Sequence, residues 1–132
     1  MAESSKPLIL VADDDEKLRG ILRMKLEAAG FEVAEAGSGE EAIAVSLKNP
    51  PALVVMDVRM PVMSGTEAVV KMKQDPKLQG IPVLFLSAFG EQDVDRSWID
   101  KRVAQELGAV DYMKKTESLS TIVAKISELT HG

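Results

Sequence analysis

The sequence predicts an α/β fold: a doubly wound parallel sheet of five strands with helices on both faces. Two observations predict it. Short apolar runs rich in β-branched residues alternate five times with longer runs whose apolar residues recur at helical spacing. The order is strand then helix throughout, which implies parallel strands joined by right-handed crossovers. The first run, "PLILVA" at 7–12, is continuous and apolar, as a strand buried on both faces should be. Behind it Leu18, Ile21, Leu22, Leu26 and Ala29 form one helical stripe, and Gly30 stands where a helix C-terminus is expected. "FEVAEA" at 31–36 is more polar and partly alternating, the pattern of a strand at a sheet edge. A helix over 39–48 follows, marked by Ala42, Ile43 and Leu47 and ended by Asn49-Pro50, then a third strand "ALVVM" at 52–56. Residues 65–74 repeat the helical spacing with Ala68, Val69 and Met72 before Asp75-Pro76, and "PVLFL" at 82–86 is the fourth strand. Residues 91–107, closed by Gly108, are a longer and less regular helical candidate. The fifth strand is "AVDYM" at 109–113, and Leu119, Ile122, Val123, Ile126 and Leu129 mark a last helix over 118–130.

At 132 residues the chain fits one domain spanning 1–132, with an ordered core from about residue 6 to 130, and 45% hydrophobic residues can fill that core. A net charge of -5 argues against direct nucleic-acid or anionic-membrane binding, since both need clustered Lys and Arg against phosphate. There is no cysteine, so disulfide, zinc-thiolate and thiol-nucleophile chemistries drop out. The only histidine, His131, is one residue from the C-terminus, which removes histidine-based catalysis and metal sites. The opening residues have no apolar signal-like core, and no later stretch reaches membrane-spanning length. A cytoplasmic location is the expectation.

In such a sheet the C-terminal strand ends share one edge, and ligands bind there where strand order reverses. The first strand is followed by Asp13, Asp14 and Asp15, the third by Asp57, the fourth by Ser87, and the fifth runs into Lys114 and Lys115. The second ends in Ala36, Gly37 and Ser38, with nothing charged. That exception fits the order 2-1-3-4-5, in which strand 2 is the edge and the four polar ends line one cleft. Carboxylates gathered at adjacent strand ends repel unless a proton or a cation intervenes. All-oxygen ligands without His or Cys favour Mg²⁺ or a similar hard ion, which keeps positions open for water or phosphate oxygens. A carboxylate beside such an ion can act as a nucleophile and form an acyl phosphate. Ser87 offers a hydroxyl and Lys115 a mobile cation to phosphoryl oxygens, so the parts suit phosphoryl transfer onto Asp.

"LILVADDDEKLR", "LVVMDVRMPVMSG", "VLFLSA" and "GAVDYMKK", in this order, resemble the receiver domains of response regulators in two-component signalling. The resemblance covers nearly the whole chain and implies a flavodoxin-like (βα)5 fold. By it, Asp57 corresponds to the phosphoacceptor, Asp14 to the direct Mg²⁺ ligand, Asp13 to a ligand acting mainly through water, and the backbone carbonyl of Arg59 to a third protein ligand. Ser87 would bind a phosphoryl oxygen, Lys115 would pair with the phosphoryl group, and Tyr112 would be the aromatic switch. The implied donor is a phosphohistidine on a sensor histidine kinase or phosphotransfer protein. The implied output is a downstream protein bound on the face of the fourth helix, fifth strand and fifth helix, with phosphorylation-dependent self-association left open. The resemblance makes the chain a switch that catalyses its own phosphorylation and dephosphorylation, not a turnover enzyme. Three features depart from the family pattern. Lys115 is followed by Thr116 where the family usually has proline, and a cis bond before a non-proline residue costs about 3 kcal/mol, so a trans bond is expected. The segment from Ser87 to Lys115 is a few residues longer than usual and contains Trp98. Arg59 and Phe89 occupy positions that tune phosphoryl lifetime, where a long cation and a ring would screen Asp57 from water.

Each residue also has a plainer reading. An acidic run before a helix can be an N-cap with charges that suit the helix dipole, worth about 1 kcal/mol; Asp15 fits the cap and Glu16 a solvated position. Ser87 alone reads as a loop hydroxyl, Lys115 as a surface charge, Tyr112 as a half-buried aromatic, and Trp98 as core or interface. Asp57 is harder to explain structurally, because a continuous apolar run precedes it and Met60-Pro61 follows. Two functions of other classes remain beside the switch: a phosphatase of the haloacid dehalogenase type, using Asp13 and Asp15 as a D-x-D, and an interaction module indifferent to phosphorylation. Flavin binding is disfavoured by acids where a phosphate would need amides and hydroxyls.

Overall fold

The apolar runs at 7–12, 52–56 and 82–86 become strands because each places successive side chains into two separate cores. In the computed structural model, which describes residues 6–57, 65–87, 109–114 and 118–131, the strands are β1 (Leu8–Ala12), β2 (Glu32–Ala36), β3 (Leu53–Asp57), β4 (Val83–Ser87) and β5 (Asp111–Lys114). The described helices are α1 (Glu16–Ala28), α2 (Gly39–Lys48), α3 (Gly65–Gln74) and α4 (Leu119–His131). The helical candidate at 91–107 lies outside the described residues, so α4 here is the helix that follows β5.

The strands pair in parallel in the order β2-β1-β3-β4-β5. This is the order expected from the polar strand ends. β3 is buried along its whole length, whereas β2 shows only its last residue buried, as an edge strand paired on one side should. Alternation along the strands divides the interior. Leu10, Ala12, Val54, Met56, Val83 and Phe85 face Ala42 of α2 and Ala68, Val69 and Met72 of α3. Ile9, Val11, Leu53, Val55, Leu84 and Leu86 face Leu22 and Leu26 of α1, Ile122 and Ile126 of α4, and Phe31. The described helices thus cover both faces, two on each.

The helix ends are set by local chemistry. α1 closes in a Schellman motif: Phe31 N–H donates to Leu26 O at 3.0 Å and Gly30 N–H to Glu27 O at 3.1 Å. Gly30 adopts φ of 98°, which disfavours any side chain, and Phe31 packs in the same core cluster as Leu26. Ser38 caps α2 by accepting from Glu41 N–H at 3.1 Å, while the Glu41 carboxylate accepts from Gly37 N–H at 2.7 Å. That reciprocal pair is close to a capping box, with the glutamate reaching one residue further back. Ser118 starts α4 by accepting from Thr121 N–H.

Candidate functional site

β1 ends at Ala12, and the next residue continues its pairing with the edge strand: Asp13 N–H donates to Ala36 O at 2.9 Å. The three aspartates after it then take separate tasks. Asp13 is 1% exposed, and its Oδ1 accepts from Asp15 N–H at 2.8 Å. Asp14 is exposed. Asp15 is the N-cap of α1, accepting from the N–H groups of Lys17 and Leu18 at 3.1 and 3.2 Å. Glu16 sits in the first turn and is exposed. The cap reading of Asp15 therefore holds, with its Oδ1 engaged by the first turn of α1.

Asp57 is the last residue of β3 and is 3% exposed. β1 and β3 are neighbours, with Ala12 opposite Met56, so Asp57 ends beside Asp13. One carboxylate oxygen each from Asp13, Asp14 and Asp57 lies within 4.8 Å of the other two. Two unit charges at that distance repel by about 3 kcal/mol even at an effective dielectric of 20. Folding brings these groups together without a histidine or cysteine, and all-oxygen donors around a compact space fit a hard divalent cation. The donor chemistry and the spacing therefore both suit a site that could bind a metal ion.

The next two strands bring further predicted residues to the same edge. Asp57 lies opposite Leu86, and Ser87, the last residue of β4, lies opposite Lys114 of β5. Tyr112 is in β5 opposite Phe85. Arg59, Phe89, Trp98, Lys115 and the Lys115–Thr116 bond lie outside the described residues.

A network that sequence reading passed over adjoins the acidic pocket from the other side. Arg19 of α1 donates from Nη1 to the backbone carbonyl of Asp13 at 2.7 Å and from Nε to Glu35 Oε1 at 2.9 Å. The second oxygen of Glu35 accepts from Arg23 Nη1 at 2.9 Å, and Arg23 Nε donates to Glu27 at 3.0 Å. Two guanidinium groups, Arg19 first and Arg23 second, hold the Glu35 carboxyl below its usual pKa of 4.5. Glu35 and Glu27 in turn raise that of Arg23. The sequence signal was present in a weak form: an arginine one helical turn beyond the cap Asp15, and a glutamate among the polar positions of the edge strand.

Comparison with known proteins agrees with this geometry. The model of the response regulator receiver domain matches residues 9–127. The chain is 37% identical over 126 residues to the transcriptional regulatory protein PrrA of Mycobacterium tuberculosis, covering 95% of this chain and 50% of that protein. It is 35% identical over 118 residues to the phosphate regulon transcriptional regulatory protein PhoB of Pseudomonas aeruginosa, covering 89% of this chain and 49% of the relative. The chain thus spans about half the length of these curated relatives. Among solved structures it resembles the receiver domain of a Francisella response regulator, with a TM-score of 0.82 at 27% identity, covering 96% of this chain and 98% of that one. It also resembles the Vibrio cholerae chemotaxis protein CheY4, with a TM-score of 0.81 at 25% identity over 95% of this chain and 99% of that one.

A parallel sheet of this order with acids at the ends of β1 and β3 defines the flavodoxin-like receiver class. The chain belongs to the response-regulator receiver domain family, whose members are phosphoacceptor switches of two-component systems.

Proposed function

We propose that this chain is a single receiver domain over 1–132 that takes a phosphoryl group from a phosphohistidine donor onto Asp57 in the presence of Mg²⁺. The observation that carries the reading is the meeting of the Asp13, Asp14 and Asp57 carboxylates within 4.8 Å at the C-terminal edge of a buried parallel sheet. An oxygen of Asp57 attacks phosphorus in line with the departing imidazole nitrogen; the P–N bond breaks, the P–O bond of an acyl phosphate forms, and the nitrogen takes up a proton. Asp14, Asp57 and the backbone carbonyl of Arg59 would hold Mg²⁺, with Asp13 acting through water, and the ion would supply charge neutralisation at the phosphoryl oxygens. Ser87 and Lys115 bind those oxygens, and Tyr112 responds to the displacement of Ser87. Attack of water on phosphorus breaks the P–O bond to Asp57, releases inorganic phosphate and restores the free carboxylate, with Arg59 and Phe89 slowing the approach of that water. The chain thereby promotes its own phosphorylation and dephosphorylation.

The donor class is a sensor histidine kinase or phosphotransfer protein, which places the chain in the cytoplasm. No described helix is long and apolar enough to cross a membrane. The output is a change in the surface formed by segment 91–107, β5 and α4, presented to a downstream protein. Incubation with acetyl phosphate and intact-mass measurement tests the chemistry. The wild-type chain gains one phosphate with Mg²⁺ present and none after chelation, and Asp57→Asn gains none. Labelling of Asp57→Asn at the wild-type level would overturn the assignment, and labelling undiminished by chelation would remove Mg²⁺ from it.

A further inference from the structure

Arg19 grips the chain that carries two acids of the pocket. The Asp13 carbonyl belongs to the planar peptide joining Asp13 to Asp14, so its direction fixes both the ψ of Asp13 and the φ of Asp14. Arg19 Nη1 donates to that carbonyl at 2.7 Å, one residue past the end of β1. Its own guanidinium is held on the edge strand, where Nε donates to Glu35 Oε1 at 2.9 Å and Arg23 secures the other oxygen. The Arg19 side chain is only 17% exposed, and its planar fork holds two acceptors in a fixed relative geometry, which the freely rotating ammonium of a lysine does not impose.

We propose that Arg19, anchored by Glu35, is a positioning residue that sets the Asp13–Asp14 peptide and so presets the carboxylates for a divalent cation. This rests on the reading of the acidic pocket as a cation site. Residues that orient ligands from behind typically change metal affinity by about 10- to 100-fold when removed. Charge alone predicts the opposite sign. Arg19 is a cation near a cation site, and deleting it on electrostatic grounds would tighten binding.

The experiment measures Mn²⁺ affinity by electron paramagnetic resonance of the free ion, as a stand-in for Mg²⁺, alongside urea unfolding of the same samples. Arg19→Met is expected to bind Mn²⁺ about tenfold more weakly, and Arg19→Lys to recover part of that loss. The ratio to wild type should persist in 1 M salt, where the Debye length is about 3 Å and long-range charge effects are screened. A purely structural role would lower the urea midpoint and leave the affinity of the folded protein unchanged. Unchanged or tighter binding by Arg19→Met overturns the inference and leaves the cation site standing; a wild-type chain that holds no Mn²⁺ overturns both. Should Arg19→Met fail to fold, Glu35→Gln loosens the same anchor from the exposed side. It is then expected to weaken Mn²⁺ about threefold in 1 M salt, and an unchanged affinity overturns the inference.

Discussion

Three consecutive aspartates with one charge each differ entirely in environment. Asp13 is buried, Asp14 is exposed and Asp15 is bonded to a helix end, and only the first two join Asp57. The crowding predicts a trade between stability and binding. Without divalent cations, Asp57→Asn is expected to raise unfolding stability by about 1 to 2 kcal/mol, because one repelling buried charge is gone. Adding Mg²⁺ should stabilise the wild type by about 2.7 kcal/mol at a hundred times its Kd and the variant much less. Urea unfolding with and without Mg²⁺ measures both, and a less stable metal-free Asp57→Asn would contradict the picture. Glu35 gives a pH prediction of definite sign. Its pKa is lowered in the folded state, so its pairing with Arg19 and Arg23 stabilises fully above the ordinary value of 4.5 and is lost as pH falls through the folded value. Acid titration of stability should therefore show the wild type and Glu35→Gln converging as the pH drops below 4.5, with the gap greatest above it. Asp13, Asp14 and Asp57 were legible from the sequence because a carboxylate directly behind a buried strand has few structural uses. The Arg19–Glu35 contact was not, because 16 residues separate its partners and each alone looks like an ordinary surface charge. Nor was the pairing of Asp111 with Lys125 at 3.0 Å, which joins the start of β5 to α4.

Elements were more readable than contacts, for physical reasons that differ among them. The short continuous apolar runs read as strands buried on both faces, and their observed ends differ from the expected ones by a residue or two, where pairing frays. β2 was recognisable as an edge by its polarity, and its half-exposed pattern follows from having one neighbour. Gly30 announced the end of α1, and the structure adds the reason: a φ of 98° within a Schellman motif. Gly30→Ala is expected to lose about 1 kcal/mol in thermal or urea unfolding, since alanine pays for the left-handed conformation that glycine adopts freely. Ser38→Ala should lose a similar amount, about 1 kcal/mol, by leaving the Glu41 N–H of α2 without its cap. A Gly30→Ala protein as stable as the wild type would mean that α1 ends differently. Neither change touches the acidic pocket, so phosphorylation of the folded protein should be unaffected.

For the whole molecule, the doubly wound order does two jobs with one topology. It separates the interior into two apolar layers and gathers chemically useful strand ends at the β1–β3 junction. Leu22 and Phe85 are fully buried in opposite layers, so Leu22→Ala and Phe85→Ala should each destabilise by about 2 to 5 kcal/mol, measured by urea unfolding. Both should leave the site chemistry of the surviving folded fraction intact, because the strand ends are held by backbone pairing along several strands. The overall topology was legible because every strand end could be tested against one cleft. The less regular helical candidate at 91–107 lies outside the described residues. The central claim is that the charge behind β1 serves a phosphoryl group received on β3. Its most direct test is to treat the acetyl-phosphate-exposed chain with borohydride, which reduces an acyl phosphate of aspartate to homoserine, and to locate that residue by peptide mass spectrometry. Homoserine at position 57, formed only when Mg²⁺ was present during phosphorylation, is the predicted result; homoserine at position 13, or at no aspartate, would contradict it.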